Sequence, residues 1–252
     1  MKCFDKDYAA IYDFLYTKKN YTKEFHLIKK ILKKNLFKPA SLLDLGCGTG
    51  QYSNLMTKLK LDVVGVDRSH NMLSIAKKKY LKNKKLFFIK SHIEKINLKK
   101  KFDIISALFH ILSYHTNKTK IDKFFSNSYT HLKKDGILIF DFWYRDGVFN
   151  LQSPLRIRKI ENHLYKIIRI TISKWLKKAD QIFDVHNLTV MNKKTKKILE
   201  FQETHKMRYF TLYAIKKILK KHNFKFLKSL DLQSGKKVTK KSWGALVVAK
   251  KI

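Results

Sequence analysis

Apolar residues return along this chain with two different rhythms. Over residues 5–18 and 22–36 they recur every three or four positions, which predicts two amphipathic helices. In the second, Phe25, Ile28, Ile31, Leu32 and Leu36 share one face, and Pro39 ends the stretch. Residues 41–45 form a short, nearly continuous apolar run, as a strand buried on both faces would, and lead into Gly46-Cys47-Gly48-Thr49-Gly50. A helix through Leu55 and Leu59 follows, then a strand at 61–67. The helix predicted at 71–81 turns Met72, Leu73, Ile75, Ala76 and Tyr80 inward. Third and fourth strands are expected at 86–90 and 102–108, a helix at 121–132 and a fifth strand at 136–142. Alternation at this spacing predicts an α/β fold with a mostly parallel sheet covered on both faces.

Between about 150 and 210 the rhythm changes. Segments 157–160, 164–173, 181–191 and 198–209 read as longer strands with a turn at Asn192-Lys193-Lys194-Thr195, which predicts an antiparallel insertion. A helix with Thr211 as N-cap and strands at 224–232 and 242–249 then return to the main sheet. The reading is one domain over residues 1–252, carrying a β-rich substrate cap at 150–210.

Composition narrows the class. With 44% hydrophobic and 13% aromatic residues, the 252-residue chain can build a core, which excludes a disordered protein. The longest nearly apolar run, around 102–112, contains Asp103 and His110 and is too short to span a membrane. Early charges and no apolar core at the N-terminus show no secretory signal, so a cytoplasmic protein is expected. Two cysteines, Cys3 and Cys47, are too few for a disulfide framework or a thiolate zinc site, and no metal is expected. The formal net charge of +37 invites a nucleic-acid partner. Yet only six of the fifty-six basic residues are arginines, and the fifty lysines are spread along the whole chain. That distribution reads as a solvated, compositional surface, with an anionic macromolecular partner as the alternative.

The loop at residues 46–50, between a strand and a helix, lets main-chain N–H groups approach a ligand without side-chain clash. Glycines alone would also suit a dinucleotide site. Asp44, before the loop, is placed to bind a cationic amino group rather than a pyrophosphate. Asp67 ends the next strand, where a carboxylate takes ribose hydroxyls. With Leu42–Gly50 as first motif and Val64-Gly65-Val66-Asp67-Arg68-Ser69, then Met72-Leu73, as second, the sequence resembles the class I S-adenosylmethionine-dependent methyltransferases. The resemblance implies a Rossmann-like seven-stranded sheet with an antiparallel last strand, and S-adenosyl-L-methionine as cofactor. It also implies that Asp44 and the Gly46 and Gly48 backbone hold the methionine part, that Asp67 holds the ribose and that Met72 packs on adenine. His92 and Ile93 fall in the third cofactor segment, where the family commonly has an acidic residue, and His92 departs from that pattern.

The end of the fourth strand reads Leu108-Phe109-His110-Ile111-Leu112-Ser113-Tyr114. No Asp/Asn-Pro-Pro-aromatic motif for base amines is present, and neither cysteine is placed for attack on a base carbon. The wider pattern resembles the methyltransferases of deoxyaminosugar nucleotides and related surface-polysaccharide enzymes. That likeness rests on Tyr8-Ala9-Ala10-Ile11-Tyr12-Asp13, Tyr16, Lys19-Asn20-Tyr21, Phe140-Asp141-Phe142-Trp143-Tyr144, the segment 203–210 and Ser242-Trp243-Gly244. The resemblance implies methyl transfer to N or O of a small polar acceptor such as a nucleotide-linked sugar, with RNA as the alternative acceptor. It is compatible with a homodimer. Aromatic faces suit a sulfonium and an aminosugar, so Tyr8, Tyr12 and Tyr16 are expected as a lid, with Tyr12 and Phe109 against the cofactor. His110, His186 and His205 are the candidate bases, His110 first among them. A diphosphate suits arginine forks, which makes Arg158 and Arg208 candidates for the acceptor together with Tyr16, Tyr114 and Trp143.

Overall fold

The computed structural model describes residues 4–36, 38–151 and 153–252, so Cys3 lies outside the described residues. Parallel strands β1 (Ser41–Leu45), β2 (Asp62–Asp67), β3 (Leu86–Lys90), β4 (Phe102–Ala107) and β5 (Leu132–Tyr144) are joined by β10 (Phe224–Asp231) and β11 (Gly244–Lys251). Their order is β3-β2-β1-β4-β5-β11-β10, with β11 antiparallel to both neighbours. This is the α/β architecture expected from the sequence.

Alternation along the central strands divides the core between two faces. Leu43, Leu45, Ile105, Leu138, Phe140, Phe142 and Val247 face α5 (Lys118–His131) and α7 (Leu212–Lys221). Leu42, Ile104, Ile137, Ile139, Leu246 and Val248 face α2 (Tyr21–Asn35) and α3 (Gln51–Thr57). The helices start where side chains satisfy free backbone donors. Asn20 accepts from the Lys23 N–H, Asn117 from Lys120 and Thr211, the expected N-cap, from Ala214.

Strands β6 (Leu155–Glu161), β7 (Tyr165–Leu176), β8 (Gln181–Asn192) and β9 (Ile198–Phe210) form an antiparallel meander. At the 192–195 turn, Asn192 Oδ1 accepts from the N–H groups of Lys194 and Thr195, a local bond that favours the turn over further strand. The meander joins the main sheet through two parallel pairs, Trp143 with Tyr209 and Tyr144 with Phe210. Helix α1 (Lys6–Leu15) lies between the two sheets. Its Tyr8, Ala9, Ile11 and Leu15 pack with Met72 of α4 (His70–Lys79) and with Ile167, Leu188 and Val190 of the meander.

Several boundaries differ from the sequence reading. The first helix ends at Leu15, because Tyr16 leaves helical geometry at φ −117°. Leu36 lies past the end of α2 in extended backbone. The fifth strand begins at Leu132, where Phe102 pairs with it, and a short helix α6 (Arg145–Leu151) follows it. No helix among the described residues is long and apolar enough to cross a membrane.

Phe140 is fully buried and meets Phe124, Phe125 and Phe142. Phe140→Ala is expected to cost about 3–5 kcal/mol through lost contacts and a residual cavity. Urea unfolding should show a lower midpoint with an unchanged slope.

Candidate functional site

The carboxyl ends of β1 and β4 border one cleft, where Asp44, Gly46 and Gly48 lie with Leu108, Phe109 and Tyr12. At its floor the loop after β1 is tied down by the Gly46 and Cys47 N–H groups, which donate to the Val66 carbonyl at 2.7 and 3.0 Å. Gly48 sits at φ +55°, and a Cβ added there would meet nothing within 4 Å. The main chain therefore faces open space that a ligand can approach closely. Asp67 receives the Gly48 N–H on Oδ2 at 2.9 Å and the Ser69 N–H on Oδ1 at 2.8 Å. Each oxygen keeps a lone pair for a hydroxyl donor. Asp44 receives the hydroxyls of Ser53 and Ser106, one on each oxygen, at 2.5 and 2.7 Å. Burial nevertheless pushes its carboxyl up to about 6, and the two hydroxyl bonds only moderate that rise. Open space over Gly48 between two carboxylates fits a ligand with a hydroxylated ring and a cationic group.

The opposite wall carries consecutive left-handed residues, Phe109 at φ +67° and His110 at φ +64°. For side chains with a Cβ this geometry is strained and persists only where neighbours impose it. Here the constraint comes from Asp141, fully buried in β5, whose Oδ1 accepts the His110 N–H at 2.8 Å. Asp141 Oδ2 lies 3.0 Å from His110 Nδ1. The contact is too poorly aligned for a hydrogen bond, and both atoms are otherwise buried without a partner. Gly244 makes room for the ring, since a Cβ there would stand 2.7 Å from His110 Cε1.

Aromatic side chains cover the cleft. Tyr12 meets Tyr16 at 4.9 Å between ring centroids, and Phe109 meets Tyr16 at 4.8 Å and Tyr12 at 6.5 Å. The N-terminal segment is fastened over the loop by polar bonds: Thr49 Oγ1 to Asp13 at 2.7 Å, Lys79 to Asp13 at 2.9 Å and Ser69 Oγ to the Phe4 carbonyl at 3.0 Å. Lys19, paired with buried Glu24, lies 4.6 Å above the Phe109 ring and lines the same cleft, together with Tyr21 and Tyr52.

The remaining expected site residues separate into groups. Met72 and Ile93 are buried, Met72 against α1 and Ile93 with its carbonyl bound by Asn127, while His92 is exposed. Trp143 is buried edge-on against Trp243 at 5.3 Å and faces His110 at 6.4 Å. His205 Nδ1 bonds the Tyr114 hydroxyl at 2.8 Å, and its ring packs on Phe4, Tyr8 and His186. Burial drives the His205 imidazole down to about 3. Burial lowers His186 too, with His205 and nearby arginines adding to it, so both are neutral at physiological pH. His186 bonds Thr171 Oγ1 at 2.8 Å. Arg208 reaches Asp180 at 3.4 Å, whereas Arg158 is exposed and has no ion pair among the described residues.

Sequence reasoning assigned no role to Asp141, Glu24, Asp13 or Tyr52. Asp141 carried a usable signal, a lone carboxylate inside the apolar run Phe140-Asp141-Phe142. Glu24 did not, being one polar residue in a charged helix.

Residues 42–136 match the methyltransferase domain family. The chain is 25% identical over 218 residues to the putative methyltransferase YqeM of Bacillus subtilis, covering 86% of this chain and 85% of that protein. It is 26% identical over 148 residues to the dTDP-3-amino-3,4,6-trideoxy-alpha-D-glucopyranose N,N-dimethyltransferase of Streptomyces venezuelae. That match spans 58% of this chain and 61% of the enzyme. Among solved structures, an S-adenosylmethionine-dependent methyltransferase from Clostridium acetobutylicum superposes with a TM-score of 0.84 at 24% identity, over 97% of this chain and 98% of that one.

Asp44 gives the folded protein a specific pH response. The side chain ionises near 3.8 in the unfolded chain and near 6 in the folded one, so between these values the unfolded state binds fewer protons. Stability therefore falls as pH rises through that window and levels off above it. Asp44→Asn removes this dependence. Relative to wild type the variant should gain roughly 2–3 kcal/mol between pH 4 and pH 7, read from urea midpoints at several pH values.

Proposed function

We propose that this chain, a class I S-adenosylmethionine-dependent methyltransferase, methylates a nitrogen or oxygen of a small polar acceptor, a nucleotide-linked aminosugar or a related glycan precursor. The observation that carries the reading is one cleft that brings Asp44, Gly46 and Gly48 together with Tyr12 and Phe109, with Asp67 bonded to the Gly48 N–H and His110 next to Phe109 in the chain. Likeness to the aminosugar N,N-dimethyltransferase supports the acceptor class.

Asp44 and the Gly46 and Gly48 backbone hold the amino-acid end of the cofactor, Asp67 takes the ribose hydroxyls, and Met72, His92 and Ile93 flank the base. When bound, S-adenosylmethionine supplies an activated methyl group and leaves as S-adenosylhomocysteine. Tyr12 and Phe109 present aromatic faces to positive charge and exclude water. Asp141 faces His110 Nδ1, which favours the tautomer with the proton on that atom and leaves Nε2 to receive a proton from the acceptor. Tyr16, Tyr114 and Trp143 bound the acceptor side.

With methyl-labelled S-adenosylmethionine and a cell extract split into small-molecule and RNA fractions, label should enter small molecules that nucleotide-sugar hydrolase destroys. Label in RNA would overturn the acceptor assignment and make the lysine surface a binding surface.

Two substitutions test the roles separately. His110→Ala should lower turnover about 100-fold or more while leaving cofactor affinity within about twofold, and equal turnover would remove His110 from the mechanism. Asp67→Ala should weaken cofactor binding by about 1–3 kcal/mol, measured by calorimetry.

A further inference from the structure

Three of the six arginines, Arg156, Arg158 and Arg169, lie on the β6–β7 hairpin, in a chain where lysine outnumbers arginine fifty to six. Cross-strand partners project to the same face of a sheet. Arg158 pairs directly with Arg169, and Arg156 pairs with Thr171, so all three guanidinium groups share the face that carries Ile167 into the core around α1. Their compensation is unequal. Arg156 reaches Asp184 at 2.7 Å, and Asp184 is further held by Ser173. Neither Arg158 nor Arg169 forms an ion pair with any described carboxylate.

Arg169 is the anomaly. It is 6% exposed, and its Nε is buried without a hydrogen-bond partner. The Tyr16 ring lies 5.9 Å from its guanidinium, and Tyr8, His186 and His205 are near enough to feel its charge. The other titratable groups on this face are His186, His205, Glu203 and the Arg156-bound Asp184. His186 and His205 are held uncharged, and buried Glu203 accepts the Phe4 N–H while burial raises its carboxyl to about 7. Burial and the facing Arg169 charge also lower the Arg158 pKa. Like charges directly opposite one another destabilise a hairpin, and a buried charge without a counter-ion is costlier still. Two forked donors facing one another with no carboxylate between them suit a ligand with two adjacent anionic groups. Tyr16, beside Arg169, also touches Tyr12 and Phe109 of the cleft, so such a ligand would border the acceptor site.

We propose that Arg158 and Arg169 form a binding site for a diphosphate group, with Tyr16 as its boundary with the methyl-transfer cleft. As the anionic end of the acceptor, this site rests on the nucleotide-sugar reading, but its binding can be measured without any turnover. The probes are UDP and inorganic pyrophosphate, titrated calorimetrically into the full-length protein. UDP should bind at one site, and pyrophosphate should compete for it. Arg169→Met, Arg169→Lys and Arg158→Gln should each weaken UDP at least tenfold, whereas Arg145→Gln, at a surface pair with Asp146, should leave it unchanged. Arg169→Met should also raise the Tm of the ligand-free protein, because an uncompensated buried charge is removed. The Tm gain produced by UDP should disappear in the same variant.

Absence of UDP and pyrophosphate binding would overturn the site, as would equal affinity in the variants. A lower ligand-free Tm for Arg169→Met with undiminished UDP binding would make Arg169 structural. Competition by an RNA duplex but not by pyrophosphate would transfer the surface to the RNA reading. Diphosphate binding without label transfer to nucleotide sugars would keep the site and reject only the acceptor assignment.

Discussion

A carboxylate inside a parallel sheet is costly unless donors reach it, and in this molecule Asp141 determines where the donors must come from. It occupies a position in β5 flanked by Phe140 and Phe142, with no access to water. Its satisfied oxygen takes the His110 N–H, which holds the chain after β4 in two successive left-handed residues. That turn delivers Phe109 and His110 to the cleft, and the missing Cβ of Gly244 lets the imidazole lie against β11. Strain, buried charge and close packing therefore meet at one point, and each persists because the others are present.

Asp44 shows the same logic with a different outcome. Its two serine donors come from α3 and from the residue beside it in β4, so both oxygens are satisfied by elements that also build the core. The carboxyl is still raised by burial, which leaves it sensitive to any cation that enters the cleft. One buried acid serves to position a neighbouring turn, and the other is open to a ligand. The fifty lysines have little part in this arrangement. Lys19 is the lysine that lines the cleft, and it is already paired with Glu24.

The sequence made the sheet and its loop readable because both depend on local patterns. Apolar runs marked β1 to β4 closely, and Thr211 and Asn192 announced a helix start and a turn through side chains bonding to nearby backbone. Readings failed where distant residues decide the outcome. The extension of β5 to Leu132 depends on pairing with Phe102. Tyr16 leaves the helix to bring its ring against Phe109 and Arg169, contacts that no local periodicity encodes. Arg169 looked like one more basic residue in a basic chain. Only the pairing register, which sets it against Arg158, shows that its charge is uncompensated.

Besides the β5–β9 pairs, the main sheet and the meander are linked through α1 and the residues just before it. Tyr8 packs against His205 of the meander, Asp13 receives Thr49 of the floor, and Phe4 is bonded to Ser69 on one side and Glu203 on the other. A helix clamped in this way cannot leave the cleft without breaking contacts to both sheets, so opening at the floor must be felt at the meander. Hydrogen bonds at the helix ends are exposed or half-buried, whereas the apolar contacts of Tyr8, Ile11 and Leu15 are buried. The apolar contacts therefore hold the helix in place, and the polar ones set its register over the loop. Coupling between cofactor floor and insertion consequently requires no relay through the main sheet, because a single ten-residue helix touches both.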